Sequence, residues 1–197
     1  MTYTALRTGP SDGPVAFTFH GTGADETQLH ELAAETSGQR TVSPRGDVDE
    51  AGALRFFRRT GEGVYDMDDL SRRRDAMAAF LADEKGDAPA AAGIGYSNGA
   101  NILAAVTFAR PEIVETLILM HPLIPWTPDP QPGLAGRRVV ITAGRRDPIC
   151  PADATERLAD WFDGQRAEVD LVWHDGGHEI RQVEVDAVRR VLTALGA

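Results

Sequence analysis

The sequence is poor in cysteine and has no long apolar run, and each scarcity excludes a class of protein. Cys150 is the only cysteine among 197 residues, so no disulfide can form within the chain. This fits a reducing compartment, and we expect a cytoplasmic protein. No apolar run approaches the roughly 18 residues that cross a membrane. The stretch Met1–Arg7 also lacks the apolar core of a signal peptide, so standard export is not expected.

Basic side chains are also scarce. The chain has 20 Lys and Arg against 30 Asp and Glu, a formal net charge of −10. A negative surface repels phosphate backbones and anionic lipids, so neither nucleic acid nor a membrane is expected as a partner. The chain has 197 residues, of which 42% are hydrophobic, and this is enough to form one globular domain over residues 1–197. We expect this domain to be a monomer or a homodimer.

Short apolar runs alternate with helix-like segments along the chain. Near-continuous apolar runs are typical of parallel strands that are covered on both faces. The alternation therefore predicts an α/β fold with a mostly parallel central sheet flanked by helices. The predicted strands are Val15–Phe19, Arg40–Ser43, Ala90–Gly95, Thr116–Met120, Arg138–Ala143 and Val169–Trp173, with an edge strand at Thr2–Thr8, and the predicted helices are Glu26–Thr36, Asp68–Asp83, Asn98–Ala109, Asp153–Asp163 and Ile180–Leu195.

Two long segments, residues 44–67 and 121–136, show no regular pattern. Neither is large enough to form a separate domain. We therefore expect them to border the site as a shallow rim, leaving an open cleft without a large lid.

The most informative motif is Gly95-Tyr96-Ser97-Asn98-Gly99, which lies between a predicted strand and a predicted helix. A Gly-x-Ser-x-Gly sequence in that position makes a strained turn that presents a nucleophilic serine. Glycines allow the turn to be tight and the helix to lie close to the sheet. The motif predicts Ser97 as a nucleophile at a helix N-terminus, where a developing negative charge is favoured.

An activated serine needs a base and an acid that orients the base. His178 follows the last predicted strand in a Gly-Gly-His loop, and Asp147 follows the strand before it, ahead of Pro148. Ligand chemistry in such sheets lies at the carboxyl ends of the strands. The chain order Ser97, Asp147, His178 is the order that this kind of fold imposes.

The other histidines are weaker candidates for the base. His174, at the end of the last strand, is the serious competitor of His178. His20 precedes a glycine-containing loop that it could brace, and His30 falls in a helix and is predicted at the surface. His121 follows the strand after the Ser97 motif and could line the pocket. Cys150 is predicted to be a small buried residue, not a nucleophile.

Backbone amides are the expected donors to a developing oxyanion. Asn98, the residue after the nucleophile, supplies one amide, and Thr22, in the loop after Val15–Phe19, supplies the other, with Gly23 as second choice. A dinucleotide site is not predicted, because the glycine pattern lacks its third glycine both there and at the Ser97 motif. No His, Cys or carboxylate cluster has metal-ligand spacing, so no metal and no cofactor is expected.

Several further motifs extend the pattern over about residues 15–180. With them, the chain resembles the α/β-hydrolases of the carboxylesterase/phospholipase branch, which includes small bacterial carboxylesterases and acyl-protein thioesterases. The matching segments are His20–Gly23, Ser43–Gly46, Arg55–Phe57, Gly95–Asn101, Gly144–Ile149 and Gly177–His178.

The resemblance implies a triad of Ser97, Asp147 and His178, with the Thr22 and Asn98 amides as the oxyanion hole. It also implies a pocket wall formed by Arg55, Phe56, Phe57, His121 and Trp126. The implied activity is hydrolysis of small to medium carboxylic esters through an acyl-enzyme. A thioesterase or lysophospholipase with the same triad, or a non-catalytic ligand-binding protein on this scaffold, remains an alternative.

Overall fold

The computed structural model describes residues 3–195. Along the chain, its strands and helices alternate. They are β1 (Ala5–Thr8), β2 (Val15–Phe19), α1 (His30–Ser37), β3 (Arg40–Pro44), β4 (Val48–Glu50), β5 (Ala53–Arg55), β6 (Arg59–Gly61), β7 (Val64–Tyr65), α2 (Met67–Lys85), β8 (Ala91–Tyr96), α3 (Asn98–Ala109), β9 (Thr116–Met120), β10 (Arg138–Gly144), α4 (Ala152–Gly164), β11 (Glu168–His174) and α5 (Gln182–Leu195), with a 3-10 turn at Pro132–Leu134.

The central sheet has seven strands in the order β1-β3-β2-β8-β9-β10-β11. The edge pair β1 and β3 is antiparallel, and every other neighbouring pair is parallel. The predicted mostly parallel α/β sheet is therefore confirmed, including the edge strand, whose predicted first residue Thr2 lies outside the described residues. The carboxyl ends of β2, β8, β9, β10 and β11 meet at one edge of the sheet, as parallel connection requires.

Apolar side chains bury both faces of this sheet. Helices α1 and α5 pack on one face, where the buried residues include Ile94, Ile118 and Val188. On the other face, α2, α3 and α4 cover Phe17, Leu117 and Ile141. In strands that are covered on both sides every side chain is buried, so apolar residues at consecutive positions stabilise the fold. This explains the near-continuous apolar sequence of these strands.

The segment 44–67 differs from the expected irregular rim. It folds into two small antiparallel ribbons, β4 with β5 and β6 with β7. The strands have only two or three residues each, too few for the alternation that marks a strand in sequence. Residues 121–136 contain only the 3-10 turn, and no large lid domain is present among residues 3–195.

No helix within the described part of the chain is both long and apolar enough to cross a bilayer.

Candidate active site

The turn between β8 and α3 holds Ser97 in a strained conformation. Its φ of 53° lies in the left-handed region, which costs energy for a residue with a side chain. The two glycines of the motif are required by close packing. A Cβ on Gly95 would lie 2.6 Å from the backbone of Gly99 and Ala100, and one on Gly99 would overlap the carbonyl oxygens of Phe19 and His20. The predicted turn is thus present, and its glycines let α3 approach β2.

Ser97, His178 and Asp147 are joined by hydrogen bonds. The Ser97 hydroxyl lies 2.9 Å from His178 Nε2, and His178 Nδ1 lies 2.7 Å from Asp147 Oδ2. A carboxylate can only accept, so Nδ1 carries the proton and Nε2 is left to accept from the serine hydroxyl. Three side chains from the ends of β8, β10 and β11 therefore meet, as the sequence predicted.

Asp147 is held as a carboxylate although it is buried. Its Oδ1 accepts hydrogen bonds from the backbone N–H groups of Ile149 at 2.8 Å and Cys150 at 3.0 Å. Burial acts to raise the pKa of the Asp147 carboxyl, but the Cys150 amide, His178 and His121 outweigh it and leave that pKa below its usual range. The side chain therefore has the charge needed to stabilise a protonated histidine.

The backbone amides of Thr22 and Asn98, beside Ser97, have no acceptor among residues 3–195. The amides on either side of Thr22 are occupied. Gly21 N–H donates to Gln28 Oε1 at 2.8 Å, and Gly23 N–H donates to the Leu54 carbonyl at 3.0 Å. Both Thr22 and Asn98 line the cavity that contains Ser97. Gly23, the second choice as donor, is excluded because its amide is already bonded.

Side chains brace the Thr22 loop from below. His20 Nδ1 donates to the Gly21 carbonyl at 2.8 Å, and its Nε2 accepts from Gly46 N–H at 2.9 Å, which confirms the expected bracing role. Arg55 is only 3% exposed. Its Nη1 donates to the Thr22 hydroxyl at 2.7 Å. Burial lowers the pKa of Arg55, with Arg59 adding to the effect.

The cleft at Ser97 is small and polar. Its outer part, of about 240 Å³, is lined by Arg59, Glu62, Tyr96 and Ile149 together with Thr22 and His178. A narrower inner part lies beside Arg55, so this member of the expected wall is in place. The inner part is also lined by Glu62, Tyr65, Asn101, Leu123, Ile149 and Cys150.

Most of the expected pocket wall lies elsewhere. Phe56 and Phe57 are 1% and 0% exposed and pack in the core, where Phe56 contacts Phe19 and Phe57 contacts Tyr65. His121 is fully buried beneath the site. Trp126 lines a separate open groove with Phe108 and Met67. These four residues carry apolar or aromatic groups that sequence alone cannot assign to a wall or to the core.

His30 and Cys150 are both buried. His30 is not at the surface but 3% exposed, with its ring nitrogens 2.9 Å from the Thr8 hydroxyl and 2.6 Å from the Ser43 hydroxyl. Cys150 is buried as predicted, and burial raises the pKa of its thiol, which disfavours the nucleophilic thiolate.

Sequence reasoning missed Tyr96 and Glu184. The Tyr96 hydroxyl donates to the His178 carbonyl at 2.6 Å, and its ring lies against the His178 ring with centroids 5.4 Å apart. Glu184 is fully buried in α5, with an oxygen 3.1 Å from His121 Nε2. The position of Tyr96 inside the serine motif was a signal for the first, but a glutamate in an amphipathic helix gave none for the second.

Histidines and carboxylates cluster more closely than their spacing in the sequence indicates. His121, His174 and Glu184 bring one potential ligand atom each to within 4.8 Å of one another, as do His121, Asp147 and His178. His174 Nδ1, however, accepts a hydrogen bond from Gly176 N–H at 2.9 Å, which places the proton of a neutral ring on Nε2. Protonated nitrogens do not ligate metals, so hydrogen bonding accounts for the first group.

Known proteins with similar sequence and structure bear on this arrangement. No family model matches the chain. "Putative hydrolase MhqD" of Bacillus subtilis (strain 168) is 35% identical over 187 residues, 92% of each chain. The protein Atu2452 of Agrobacterium tumefaciens is 48% identical with a TM-score of 0.92, over 98% of this chain and 97% of that one. A Bacillus cereus carboxylesterase is 35% identical with a TM-score of 0.90, over 98% and 94%.

One family is indicated by the mostly parallel sheet, by the serine turn after β8 and by these relatives. The chain belongs to the α/β-hydrolases, in their carboxylesterase branch.

Proposed function

We propose that the chain is a serine hydrolase that cleaves small to medium carboxylic esters through an acyl-enzyme on Ser97. The observation that carries this proposal is the continuous hydrogen-bonded line from Asp147 through His178 to the Ser97 hydroxyl, at the open cleft. The carboxylesterase among the relatives supports the ester as substrate class.

The first half of the reaction forms the acyl-enzyme. His178 Nε2 removes the proton of the Ser97 hydroxyl as the oxygen attacks the ester carbonyl. The resulting imidazolium donates from Nδ1 to Asp147, whose negative charge stabilises it. Collapse of the tetrahedral intermediate breaks the bond to the alcohol oxygen, which takes the proton from Nε2 and leaves.

The oxyanion of each tetrahedral intermediate accepts hydrogen bonds from the free amides of Thr22 and Asn98. One such donor is worth about 3 kcal/mol of transition-state stabilisation in serine hydrolases. The amides of Gly21 and Gly23, on either side of Thr22, are bonded within the protein, so Thr22 is the donor that this part of the loop offers to substrate. Deacylation repeats the sequence with water as nucleophile, activated by His178, and releases the carboxylic acid.

The cleft favours short acyl groups. Its inner part is narrow and is closed by Tyr65, Leu123 and Cys150. The mouth carries Arg59 and Glu62, which form an ion pair, so a long apolar chain would lie against charged groups. A short acyl or aryl ester fits this arrangement without burying either charge unpaired.

Purified protein and p-nitrophenyl esters of increasing acyl length test the proposal. We expect turnover of acetate and butyrate that falls with longer chains, and Ser97→Ala should reduce kcat by about a millionfold, to background. Ser71→Ala, the same change on α2 in the separate groove, should keep wild-type rates. A fluorophosphonate should label wild type and Ser71→Ala but not Ser97→Ala.

Activity that persists in Ser97→Ala would reject the nucleophile. Labelling without turnover of any ester would instead favour a ligand-binding role on this scaffold. A thioester of the same short acid, compared with its oxygen ester by kcat/KM, separates the esterase from a thioesterase.

A further inference from the structure

A fully buried histidine, His121, lies between two carboxylates below the Ser97 site. Its Nδ1 is 2.7 Å from Asp147 Oδ2, the same oxygen that faces His178, and its Nε2 is 3.1 Å from Glu184 Oε1. The side chains of His121, Asp147 and Glu184 are all 0% exposed. Each hydrogen bond in this cluster needs one atom that donates and one that accepts, and this requirement fixes where the protons lie.

Asp147 receives only donors. Two backbone N–H groups occupy Oδ1, so the carboxylate is an acceptor, and both imidazoles at Oδ2 must donate from Nδ1. His121 therefore carries a proton on Nδ1. The remaining question is whether its Nε2 carries one as well.

Glu184 likewise receives donors at each oxygen. The Thr142 hydroxyl donates to Oε1 at 2.5 Å, and Arg181 N–H donates to Oε2 at 2.8 Å. His174 Nε2, protonated because its Nδ1 accepts from Gly176, lies 3.1 Å from Oε2. A lone pair on His121 Nε2 would face the carboxylate oxygen without a proton between them, which is repulsive. A proton on Nε2 removes that repulsion.

We propose that His121 is a resident imidazolium, hydrogen-bonded to Asp147 and ion-paired with Glu184, and that it acts as a positioning residue for the acid–base pair. It holds the Asp147 carboxylate through Oδ2, the same oxygen that accepts from His178. Its positive charge lies beside the His178 ring, with the two ring centroids 5.0 Å apart. The part of this inference that concerns rate depends on the proposed hydrolase function.

The groups around His121 agree with this charge. Burial acts to lower the pKa of His121, but the hydrogen bonds and charges of Glu184 and Asp147 outweigh it and raise the pKa above its ordinary value. Glu184 is held below its own ordinary pKa, since His121 and Thr142 outweigh burial. Facing His121 from each packed element are Tyr96 of β8, Asp147 and Cys150 after β10, His174 of β11, His178 of the following loop and Glu184 of α5.

A competing arrangement has His174 Nε2–H donating to a neutral His121 Nε2. These two nitrogens are 3.5 Å apart in hydrogen-bond geometry, whereas each forms a 3.1 Å ion-pair contact with a Glu184 oxygen. The shorter contacts to a charged acceptor favour two N–H groups converging on the carboxylate. The two arrangements differ by one proton on His121 Nε2, which is measurable.

Nitrogen-15 NMR of the histidine rings tests the charge without any need for activity. Protein labelled at histidine is titrated, and the His121 signals are identified by their loss in His121→Gln. We expect both ring nitrogens of His121 to stay protonated at a pH above 6.5, where an ordinary histidine is mostly neutral. A single protonated nitrogen at that pH would overturn the inference, whether or not the protein hydrolyses esters.

Glu184→Gln tests the consequence for the reaction. Arg181 N–H and the His174 ring both need an acceptor, so the amide oxygen should face them and the NH₂ should face His121. His121 Nε2 must then accept, and the imidazolium becomes neutral. With that charge gone, the acid limb of the kcat/KM profile should move to higher pH by about one unit.

Two control variants separate charge from damage to the fold. Asp186→Asn makes the same charge change on an exposed side chain of α5, and Thr142→Val removes the Thr142 bond to Glu184 without removing a charge. Both should leave the acid limb where it is in wild type. An acid limb in Glu184→Gln that stays in place or moves to lower pH would contradict the inference, because loss of a negative charge alone moves it downward.

Discussion

The Ser97 turn and the buried cluster around Asp147 form two halves of one site, but they are built in opposite ways. The turn is local. It depends on residues 95–99, on the absence of Cβ atoms at Gly95 and Gly99, and on backbone amides. The cluster is assembled from side chains on β10, β11, α5 and the loops after β9 and β10, and its working feature is where the protons lie.

This difference indicates how each half should respond to change. A larger side chain in the turn clashes with the neighbouring backbone, so it lowers both the stability of the fold and the activity. In the cluster, an isosteric substitution changes a charge or the position of a proton, so it can reduce activity while the fold is retained. Single substitutions in each half test this contrast.

Asp147→Asn should have the largest effect, on activity. The amide oxygen should face the N–H groups of Ile149 and Cys150, which leaves NH₂ facing His178 Nδ1. His178 then keeps its proton on Nε2 and cannot accept from Ser97, which lowers kcat by about 10⁴-fold in serine hydrolases with this change. Steady-state kinetics with p-nitrophenyl butyrate measure it. Circular dichroism should show an intact fold, and near-normal kcat would contradict the assignment of Asp147.

Gly99→Ala should break the other half by sterics. The added Cβ would overlap the carbonyl oxygens of Phe19 and His20 at the end of the central strand β2, which cannot retreat. We expect the free energy of unfolding to fall by about 3 kcal/mol, measured by urea denaturation, with activity falling as well. Gly164→Ala, at the end of α4 with nothing within 4 Å, is the control and should be neutral or stabilising. Equal stability of the two variants would refute the close-approach argument.

Thr22→Val, in the loop after β2, should have an intermediate effect on activity. The change keeps the shape of the side chain but removes the acceptor for Arg55 Nη1, leaving a buried donor unpaired and the Thr22 amide less firmly placed. A decrease in kcat of about tenfold with little change in KM is expected, because the amide acts on the transition state. Thr22→Ser keeps the hydroxyl and should retain most of the rate. If the two variants were equally active, Arg55 would have no part in placing the loop.

The smallest effect is on stability as a function of pH. Asp147 and Glu184 have lowered pKa values, so their contribution is present above their ordinary values of 3.8 and 4.5 and is lost as pH falls through the lowered ones. His121 has a raised pKa, so its contribution is complete below 6.5 and is lost as pH rises through the raised value. The cluster therefore contributes most between about pH 4.5 and pH 6.5.

Comparison of wild type with Glu184→Gln isolates that contribution. Burial lowers the pKa values of His20 and His30, which weakens the fold on acidification, but this effect is common to both proteins and cancels in the difference. The difference in the free energy of unfolding, from urea denaturation at several pH values, should decrease by about 1 kcal/mol per pH unit as pH rises above 6.5, where wild-type His121 loses its proton on unfolding. A difference that does not vary with pH would show that the cluster carries no resident charge.

Individual residues show how far the sequence could predict the site. Ser97 was identified from its neighbours at positions 95 and 99, because a strained turn between strand and helix tolerates few sequences. Asp147 and His178 followed from their positions after strands. Glu184 could not be identified in this way, because a helical glutamate 42 residues from its partner Thr142 looks like any surface glutamate until the helix is packed.

The errors have a similar origin. Phe56, Phe57 and His121 were expected at the pocket wall, yet they lie in the core. The short ribbons β4–β7 turn the segment before α2 so that Arg55 faces Thr22 while the two phenylalanines point into the protein. Strands of two or three residues carry too few side chains to reveal which face is buried.

The sequence by itself determined the parallel sheet, the strained serine turn and the chain order of Ser97, Asp147 and His178, each after a strand of the sheet. These depend on short-range backbone geometry and on apolar periodicity, which neighbouring residues specify. Only the tertiary structure decided which amides stay free, which aromatic residues face the cleft and where the protons of His121 and His174 lie. Those properties arise from burial and from partners distant in the chain. In water the same side chains would hydrogen-bond to solvent, and no particular partner or proton position would be fixed.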